Sequence, residues 1–295
     1  MAAAAAMAAA TAATSPFRRQ VWQLAHGRSL ELGPRALIMG VLNVTPDSFS
    51  DGGNHFDVEK AVTRAQQMQA DGATIIDIGG ESTKPNAEPV DAATEQARIL
   101  PVIEALVAEP AMVLSVDTYR AETAHRAIAA GAHIVNDVWG CQREPDLAKV
   151  AADSGAGLVI MNTRRERPVL DDLLEDASQF LARSVAIAQT AGVPDDCIVL
   201  DPGFGFAKTI DHDIPILQRL ERLHQLGYPL LVGTSRKRFL GAITGREAHE
   251  RGAATAATSV IARQKGTAIF RVHDIQVNKD ALSVTDAFIN GKIAQ

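Results

Sequence analysis

Eight short apolar runs recur along this chain, and they alternate with segments in which apolar residues have helical spacing. Near-continuous apolar strands that alternate with helices are typical of a parallel sheet covered by helices. Eight such strands in roughly 250 residues predict a single (β/α)8 TIM barrel, an α/β fold. The predicted strands are residues 36–43, 74–80, 112–118, 134–138, 157–162, 198–203, 230–235 and 268–274.

The segments between these runs predict eight helices. Glycine stands just before four of the runs, at Gly72, Gly131, Gly155 and Gly266, where a left-handed residue would end the preceding helix. We expect Pro101 to kink or split the second helix, because proline removes a backbone hydrogen bond. The predicted helices are residues 57–71, 91–108, 120–130, 145–154, 171–191, 211–226, 247–265 and 276–290.

The domain organisation follows from the absence of a linker inside this alternation. Residues 33–290 are interpreted as one barrel domain. Residues 1–20 are interpreted as a disordered, alanine-rich tail, because residues 1–14 carry no positive charge for a targeting peptide. No apolar run approaches the roughly 20 residues that a membrane helix needs, so no membrane partner is expected.

Charge and cysteine usage limit the partners and the compartment. The formal net charge is -6, and the first 30 residues contain three arginines and no acid, so residues 31–295 carry -9. Such an acidic body repels nucleic acid, and none is expected as a partner. Cys141 and Cys197 match no metal-binding spacing. They are interpreted as free thiols in a reducing cytosol, so we expect a cytoplasmic protein.

Polar residues stand at the C-terminal ends of the predicted strands, and this edge of a TIM barrel carries the active site. Side chains alternate along a strand, so Arg271 and His273 share one face while Phe270 and Val272 point the other way. A single polar strand end is commonly a helix cap, but several together favour a pocket. Those expected to converge are Asn43, Asp117, Asn136, Asp201, Arg271 and His273, with Asp77 and Lys237 at further strand ends.

The two halves of this predicted pocket differ in charge. Asp117 and Asp201 suit a flat nitrogen heterocycle, because a carboxylate accepts paired N–H bonds that also fix orientation. Arg271 and His273 are interpreted as a cationic pair, near the place where barrel enzymes often hold phosphate. The pattern therefore predicts a ligand with a heteroaromatic half and an anionic half.

Two loop motifs make the sequence resemble a known family. Residues 43–53, NVTPDSFSDGG, resemble the first-loop signature of the dihydropteroate synthases, and residues 77–85, DIGGESTKP, resemble the second. The resemblance covers about residues 33–290. Further motifs in the family's order are SVDT at 115–118, NDV at 136–138, DPGFGF at 201–206, SRK at 235–237 and RVHD at 271–274.

The resemblance implies a pterin-binding TIM barrel that joins hydroxymethyl-dihydropterin pyrophosphate to p-aminobenzoate and releases pyrophosphate, in folate biosynthesis. By similarity, Asp117, Asp201 and Lys237 would be the catalytic residues. The pterin ring would be held by Asp117, Asn136, Asp201 and Lys237, with Met161 and Phe206 packing nearby, and Gly233 would be a further substrate-binding residue. The pyrophosphate would be bound by Thr83, Arg271 and His273.

The same resemblance implies a cofactor, moving loops and a partner. Asn43 would bind Mg2+ attached to the pyrophosphate, because magnesium is commonly held by one or two protein oxygens with phosphates and waters. A homodimer through helices between residues 211 and 290 is expected. Loop residues that would close over the p-aminobenzoate are Phe49, Asp51, Lys84 and Pro85.

Some positions depart from the family pattern. Lys84 and Asn86 flank Pro85, where arginine and glycine are usual, and lysine keeps the charge without the planar, two-pronged geometry. Arg238 follows the SRK motif, where serine is frequent, and Asn162 replaces a frequent histidine. Two alternatives stay open: a pterin barrel that passes a methyl group from a methylated folate to a corrinoid, and an inactive paralogue.

Overall fold

The architecture comes from a computed structural model, which describes residues 15–45, 54–81, 90–206 and 209–292, with the backbone alone at 54–57. Eight parallel strands, β3 to β10, form the predicted TIM barrel, preceded by a hairpin of β1 and β2. The strands are β1 Gln20–Gln23, β2 Ser29–Leu32, β3 Leu37–Asn43, β4 Ile75–Gly79, β5 Val113–Asp117, β6 Ile134–Asp137, β7 Gly157–Met161, β8 Ile198–Asp201, β9 Leu231–Val232 and β10 Ile269–Val272.

The strands pair in the order of the chain. Each strand from β3 to β7 pairs with the next one in the chain, and β10 lies between β9 and β3. Between β8 and β9 the ladder is reduced to one parallel bridge, from Leu200 to Leu230. This bridge completes the ring.

The helices surround the barrel much as the sequence predicts. All four glycines expected to end helices have positive φ, between 64° and 115°. In the part of the chain that the structure describes, no helix is long and apolar enough to cross a membrane. The helices are α1 Asn54–Asp71, α2 Ala92–Leu106, α3 Ala121–Ala129, α4 Asp146–Ser154, α5 Leu173–Thr190, α6 Asp213–Gln218, α7 Arg238–Thr244, α8 Gly252–Gln264 and α9 Ile275–Asn290.

Three helix predictions need correction. Of the kink or split expected at Pro101, the split is wrong, because α2 runs through this residue. The carbonyl of Ala97 loses its partner, but Ala97 is exposed like Pro101, so water can satisfy it. The helix predicted over 211–226 is α6 followed by a 3-10 helix, Leu220–Leu226. The helix predicted over 247–265 begins only at Gly252, and α7 was not predicted.

Alternation along the strands separates an inner from an outer apolar layer, as predicted. Phe270 and Val272 of β10 belong to the outer cluster, which packs against the helices. The lower interior is filled by one residue from each barrel strand. These are Met39, Ile75, Val113, Ile134, Val159, Val199, Leu231 and Ile269. Polar side chains begin at the next interior layer, towards the C-terminal ends of the strands.

The hairpin closes the lower end of the barrel, and it was not predicted. Gln20 opens β1, so the tail predicted over residues 1–20 is too long, whereas residues 1–14 lie outside the described residues. Trp22 is 1% exposed and its Nε1 donates to the carbonyl of Cys197 at 2.8 Å. Leu24 and Leu32 pack with it against the lower interior layer.

We expect Trp22→Ala to lower the free energy of unfolding by about 3 to 5 kcal/mol, because it leaves a cavity against the barrel floor. Turnover per folded molecule should stay at the wild-type value, since Trp22 lies at the end opposite the polar strand ends. Urea denaturation measures the first effect and steady-state kinetics the second. Val21→Ala, at a neighbour that is 51% exposed, is the control and should change stability by less than about 0.5 kcal/mol. An equal, small effect of both substitutions would contradict a structural role for the hairpin.

Candidate active site

A buried hydrogen-bond network crosses the upper interior of the barrel, with Asp77 of β4 at its centre. The carboxylate of Asp77 accepts from Ser115 Oγ at 2.6 Å, from Asn136 Nδ2 at 3.0 Å and from Arg271 Nε at 2.6 Å. Arg271 also donates from Nη2 to Asp117 Oδ2 at 2.7 Å. One guanidinium therefore links two carboxylates, and Asp77, which the sequence placed at a strand end without a role, holds four strands together.

Three ionisable groups at the mouth of the barrel have pKa values near neutrality. Burial raises the pKa of Asp117 to about 7, against the positive charge of Arg271 and with the help of the negative Asp77. Burial also raises the pKa of Asp201 to about 6, although the backbone N–H of Gly203 donates to it at 2.7 Å. Burial and Arg271 lower the pKa of Lys237 to about 8. Such perturbed groups gathered in one place are typical of functional sites.

An apolar wall stands beside these charges. Met161 and Phe206 are buried in one small cluster with Val138. Lys237 Nζ lies 4.3 Å from the centre of the Phe206 ring, and Arg165 Cζ lies 4.6 Å from it. These are cation–π distances. Lys237 therefore links the Phe206 ring to Asp201, whose carboxylate interacts electrostatically with the same ammonium group.

A buried ion pair holds the turn that carries Phe206. Asp213 accepts from the backbone N–H of Gly205 at 3.0 and 3.1 Å, and Arg164 donates to Asp213 at 3.2 Å and to the carbonyl of Gly203 at 3.0 Å. Gly205 has φ +78°, and a Cβ there would collide with the Lys237 side chain. Sequence reasoning missed Arg164 and Asp213, because their 49-residue separation matches no motif.

His273 is neutral, so the cationic pair expected from the sequence is wrong. Burial lowers the pKa of His273 to about 3, and the positive charges of Arg271 and Arg236 act in the same direction. Its Nδ1 lies 2.9 Å from Ser235 Oγ. Arg271 is the charged member, and the carboxylates of Asp77 and Asp117 raise its pKa in spite of burial.

Asn43 and Gly233 also border the mouth. A Cβ placed on Gly79 would lie 3.7 Å from Asp117 Oδ2 and 3.8 Å from Asn43 Oδ1, so these two oxygens lie on the same side of β4. A Cβ on Gly233 would lie 3.8 Å from Cβ of Arg271. Asn43 is exposed. Within the described ranges no cluster of three His, Cys, Asp or Glu residues could hold a metal by itself.

The other predicted site residues lie in the two long loops that follow β3 and β4. Phe49, Asp51, Thr83, Lys84 and Pro85 all lie outside the described residues, as does Asn86. Arg238 is the first residue of α7 and is exposed. The structure therefore brings together the residues on strand ends and leaves the loop predictions untested.

Comparison with known proteins identifies one family for this chain, both by sequence and by structure. Residues 39–273 match the family of pterin binding enzymes. The chain is 46% identical over 262 residues to the dihydropteroate synthase of Bacillus subtilis, an alignment that covers 89% of this chain and 92% of that protein.

Solved structures agree with the sequence relatives. Clostridium difficile dihydropteroate synthase in the presence of pteroic acid has a TM-score of 0.85 and 42% identity, over 88% of this chain and 98% of that one. Xanthomonas albilineans dihydropteroate synthase with 4-aminobenzoic acid has a TM-score of 0.86 and 41% identity, over 92% and 99% of the two chains.

Proposed function

This chain belongs to the pterin-binding enzymes and, within them, to the dihydropteroate synthases, and we propose that its barrel mouth condenses hydroxymethyl-dihydropterin pyrophosphate with p-aminobenzoate. The products are dihydropteroate and pyrophosphate, in folate biosynthesis. The observation that carries this proposal is a set of buried carboxylates and an amide, with a half-buried amine, beside an apolar wall, and with Arg271 between Asp77 and Asp117.

The heteroaromatic half of the ligand fits the carboxylate side of the site. We assign Asp117, Asn136, Asp201 and Lys237 to the polar edge of the pterin ring. Met161 and Phe206 offer apolar surface to its faces, and Gly233 leaves room where a side chain would crowd it. A carboxylate that accepts two ring N–H groups is stabilised in its charged form, so ligand binding should lower the raised pKa values of Asp117 and Asp201.

The anionic half fits the side of Arg271 and His273, with Thr83 expected from the adjoining loop. In the described residues, Nη1 of Arg271 has no hydrogen-bond partner, whereas Nε and Nη2 are held by carboxylates. That leaves the Nη1 amino group, with its two N–H bonds, for phosphate oxygens. His273 would contribute as a neutral hydrogen-bond donor.

A magnesium ion fits this half through Asn43. Its amide is exposed at the end of β3, and within the described ranges it makes no hydrogen bond. One amide oxygen, completed by phosphate oxygens and waters, is an ordinary Mg2+ environment. When bound there, Mg2+ would neutralise charge on the pyrophosphate.

The protein's part in the reaction is electrostatic. When the bond between the pterin methylene carbon and the pyrophosphate oxygen breaks, the electron pair leaves with pyrophosphate and positive charge develops on the pterin. Asp117 and Asp201 stabilise that positive charge, while Arg271 and His273 stabilise the departing oxygen. The amine of p-aminobenzoate then forms the new C–N bond and loses a proton. This dissociative path needs no protein nucleophile. Phe49, Asp51, Lys84 and Pro85 are proposed to shield it.

The direct test is product formation with both substrates present. The purified protein should convert the pterin ester and p-aminobenzoate into dihydropteroate and equimolar pyrophosphate. Methyl transfer from a methylated folate to a corrinoid, without pyrophosphate release, would support the rival pterin barrel instead. Folded protein that binds the pterin ester but turns over neither substrate would indicate an inactive paralogue.

The pH dependence of kcat/KM for the pterin ester should be bell-shaped, because this parameter reports groups of the free enzyme. Activity should rise as pH increases through about 7, where Asp117 ionises, and fall as pH increases through about 8, where Lys237 loses its proton. Lys237→Arg should abolish the alkaline limb, since a guanidinium stays protonated. An unchanged alkaline limb in Lys237→Arg would mean that another group causes it.

We further propose a homodimer through the late helices. Val277, Val284 and Phe288 of α9 are exposed, and Phe288 reaches 85%. The seven- and four-residue spacings place them on one face of the helix. Ile261 of α8 and Ile243 of α7 are exposed as well. Several exposed apolar side chains on neighbouring helices are typical of an interaction site.

Phe288→Glu should convert this dimer into a monomer, because a charge would be buried at the interface without a partner. Light scattering after size-exclusion chromatography measures the mass. Leu170→Glu, at an exposed apolar residue outside these helices, is the control and should stay dimeric. A wild-type protein that is monomeric at high micromolar concentration would refute the dimer.

The two cysteines support the proposal that the protein is cytoplasmic. Cys141 and Cys197 are both free and buried, as the sequence predicts. Free thiols persist in reducing compartments. A cytoplasmic location therefore stays our proposal.

A further inference from the structure

One hydroxyl group contacts His273 twice, and it comes from the turn that follows β9. Ser235 is buried, at 4% exposure. Its Oγ accepts a hydrogen bond from the backbone N–H of His273 at 3.2 Å and lies 2.9 Å from Nδ1 of the same residue. The serine therefore connects the end of β9 to the ring of a residue that follows β10.

The proton positions follow from counting donors and acceptors. A serine hydroxyl has one proton and two lone pairs, and a buried hydroxyl needs an acceptor for its proton. One lone pair of Ser235 Oγ is used by the backbone N–H of His273. Within the described ranges the other partner of this oxygen is His273 Nδ1, so the hydroxyl donates to that nitrogen. A neutral imidazole that accepts at Nδ1 carries its proton on Nε2.

The charges around the ring keep it neutral. Arg271, Arg236 and Lys237 all disfavour the imidazolium form, and burial acts in the same direction. Asp274 is the nearby group that opposes them, but its Oδ1 accepts from Arg236 Nη2 at 2.8 Å. The ring is thus held in one protonation state by charge and in one tautomer by Ser235.

We propose that Ser235 is a positioning residue that fixes His273 as the neutral Nε2–H tautomer, so that this edge of the ring donates a hydrogen bond to the leaving pyrophosphate. The inference rests on the proposed placing of the leaving group beside His273. In the Nδ1–H tautomer, Nε2 would present a lone pair to the anion and repel it. In the Nε2–H tautomer, the ring stabilises the charge that develops as the carbon–oxygen bond breaks.

The tautomer can be observed without any turnover. Long-range 1H–15N spectra of protein labelled with 15N-histidine distinguish a protonated ring nitrogen from an unprotonated one, and His273→Gln identifies the signal among the eight histidines. Wild-type protein at pH 7 should show His273 protonated at Nε2 alone. Ser235→Ala should give a mixture of tautomers, and Ser235→Thr, which keeps the hydroxyl, should restore the single form.

Kinetics then tests whether the tautomer matters. Ser235→Ala should lower kcat about tenfold, the loss expected for one hydrogen bond that strengthens in the transition state, while binding of unphosphorylated hydroxymethyl pterin stays unchanged. His273→Gln, whose amide N–H can replace Nε2–H, should retain more activity than His273→Asn. Adding Ser235→Ala to His273→Gln should cost little more, since the ring that Ser235 orients is gone.

A matched control separates this role from mere packing. Thr234 is also buried, and its Oγ1 accepts from Thr258 Oγ1 at 2.9 Å on the helix side. Thr234→Val should lower stability yet leave the His273 tautomer and kcat at wild-type values.

Three results would overturn the proposal while the wild-type enzyme still forms dihydropteroate. The first is an Nδ1–H tautomer in the wild type, and the second is an unchanged Nε2–H tautomer in Ser235→Ala. The third is an altered tautomer in Ser235→Ala with wild-type kcat. Failure of the wild type to form dihydropteroate would instead refute the proposed function, whatever the tautomer.

Discussion

Asp117→Asn should remove almost all turnover while leaving the barrel folded. The substitution preserves the shape of the side chain and removes the negative charge that faces the developing positive charge on the pterin. A preorganised electrostatic contact of this kind is worth about 3 to 4 kcal/mol, so kcat should fall by roughly two to three orders of magnitude. Arg271 keeps its hydrogen bond to Asp77 at 2.6 Å, so the network beneath should persist.

A buried carboxylate on the neighbouring strand serves as the matched control. Asp137 of β6 is as buried as Asp117, but its Oδ1 accepts from the backbone N–H of Trp139 at 2.8 Å, in the turn after the strand. Asp137→Asn should lower stability and spare kcat per folded molecule. Near wild-type turnover in Asp117→Asn would remove Asp117 from the pterin edge. An equal kcat loss in both variants would show that any buried charge change disturbs the barrel.

Asp77→Asn should be nearly as damaging, although we place no substrate atom against Asp77. The carboxylate accepts three hydrogen bonds from side chains, including those of Asn136 and Arg271. An amide in its place would direct an N–H group at one of these donors and leave Arg271 with only Asp117. Breaking a buried ion pair costs about 3 to 5 kcal/mol of stability. We also expect kcat/KM for the pterin ester to fall about 100-fold, because a small misplacement of catalytic groups has an effect of that size.

Ser115→Ala is the control for a milder change at the same carboxylate. It removes one hydrogen-bond donor to Asp77 and leaves the ion pair between Asp77 and Arg271 intact. Its cost should be near 1 kcal/mol in stability, with a small change in kcat/KM. Chemical denaturation and steady-state kinetics on the same samples provide both readings. If Asp77→Asn behaved like Ser115→Ala, the ion pair with Arg271 would not organise the pocket.

Much of the barrel could be predicted because its periodicities are local. The two-residue alternation in β10 was enough to assign Phe270 and Val272 to the helix side and Arg271 and His273 to the interior. The same rule placed Asn136 and Asp117 in the interior. A parallel barrel places the C-terminal ends of all its strands at one rim. Once eight strands were predicted, the polar residues at their C-terminal ends could therefore be expected to lie close together.

The remainder depends on information that no short window of sequence contains. The hairpin around Trp22 is two strands of four residues that stand outside the alternation of strands and helices, so the barrel pattern did not predict it. The buried pair Arg164 and Asp213 joins the loop after β7 to the first residue of α6. His273 was interpreted as cationic because it shares a strand face with Arg271, near the expected phosphate site. Its protonation depends instead on burial and on three positive neighbours that only the fold brings together.

The most direct test of the account is a crystal structure of this protein with pteroic acid, which contains the pterin ring and the p-aminobenzoate group in one molecule. We expect the ring nitrogens to lie about 2.7 to 3.2 Å from carboxylate oxygens of Asp117 and Asp201, with the ring packed against Met161 and Phe206. The carboxylate end should point out of the barrel mouth, away from Asp77. A pterin ring bound elsewhere, or in the mouth without contact to either carboxylate, would contradict the proposed site.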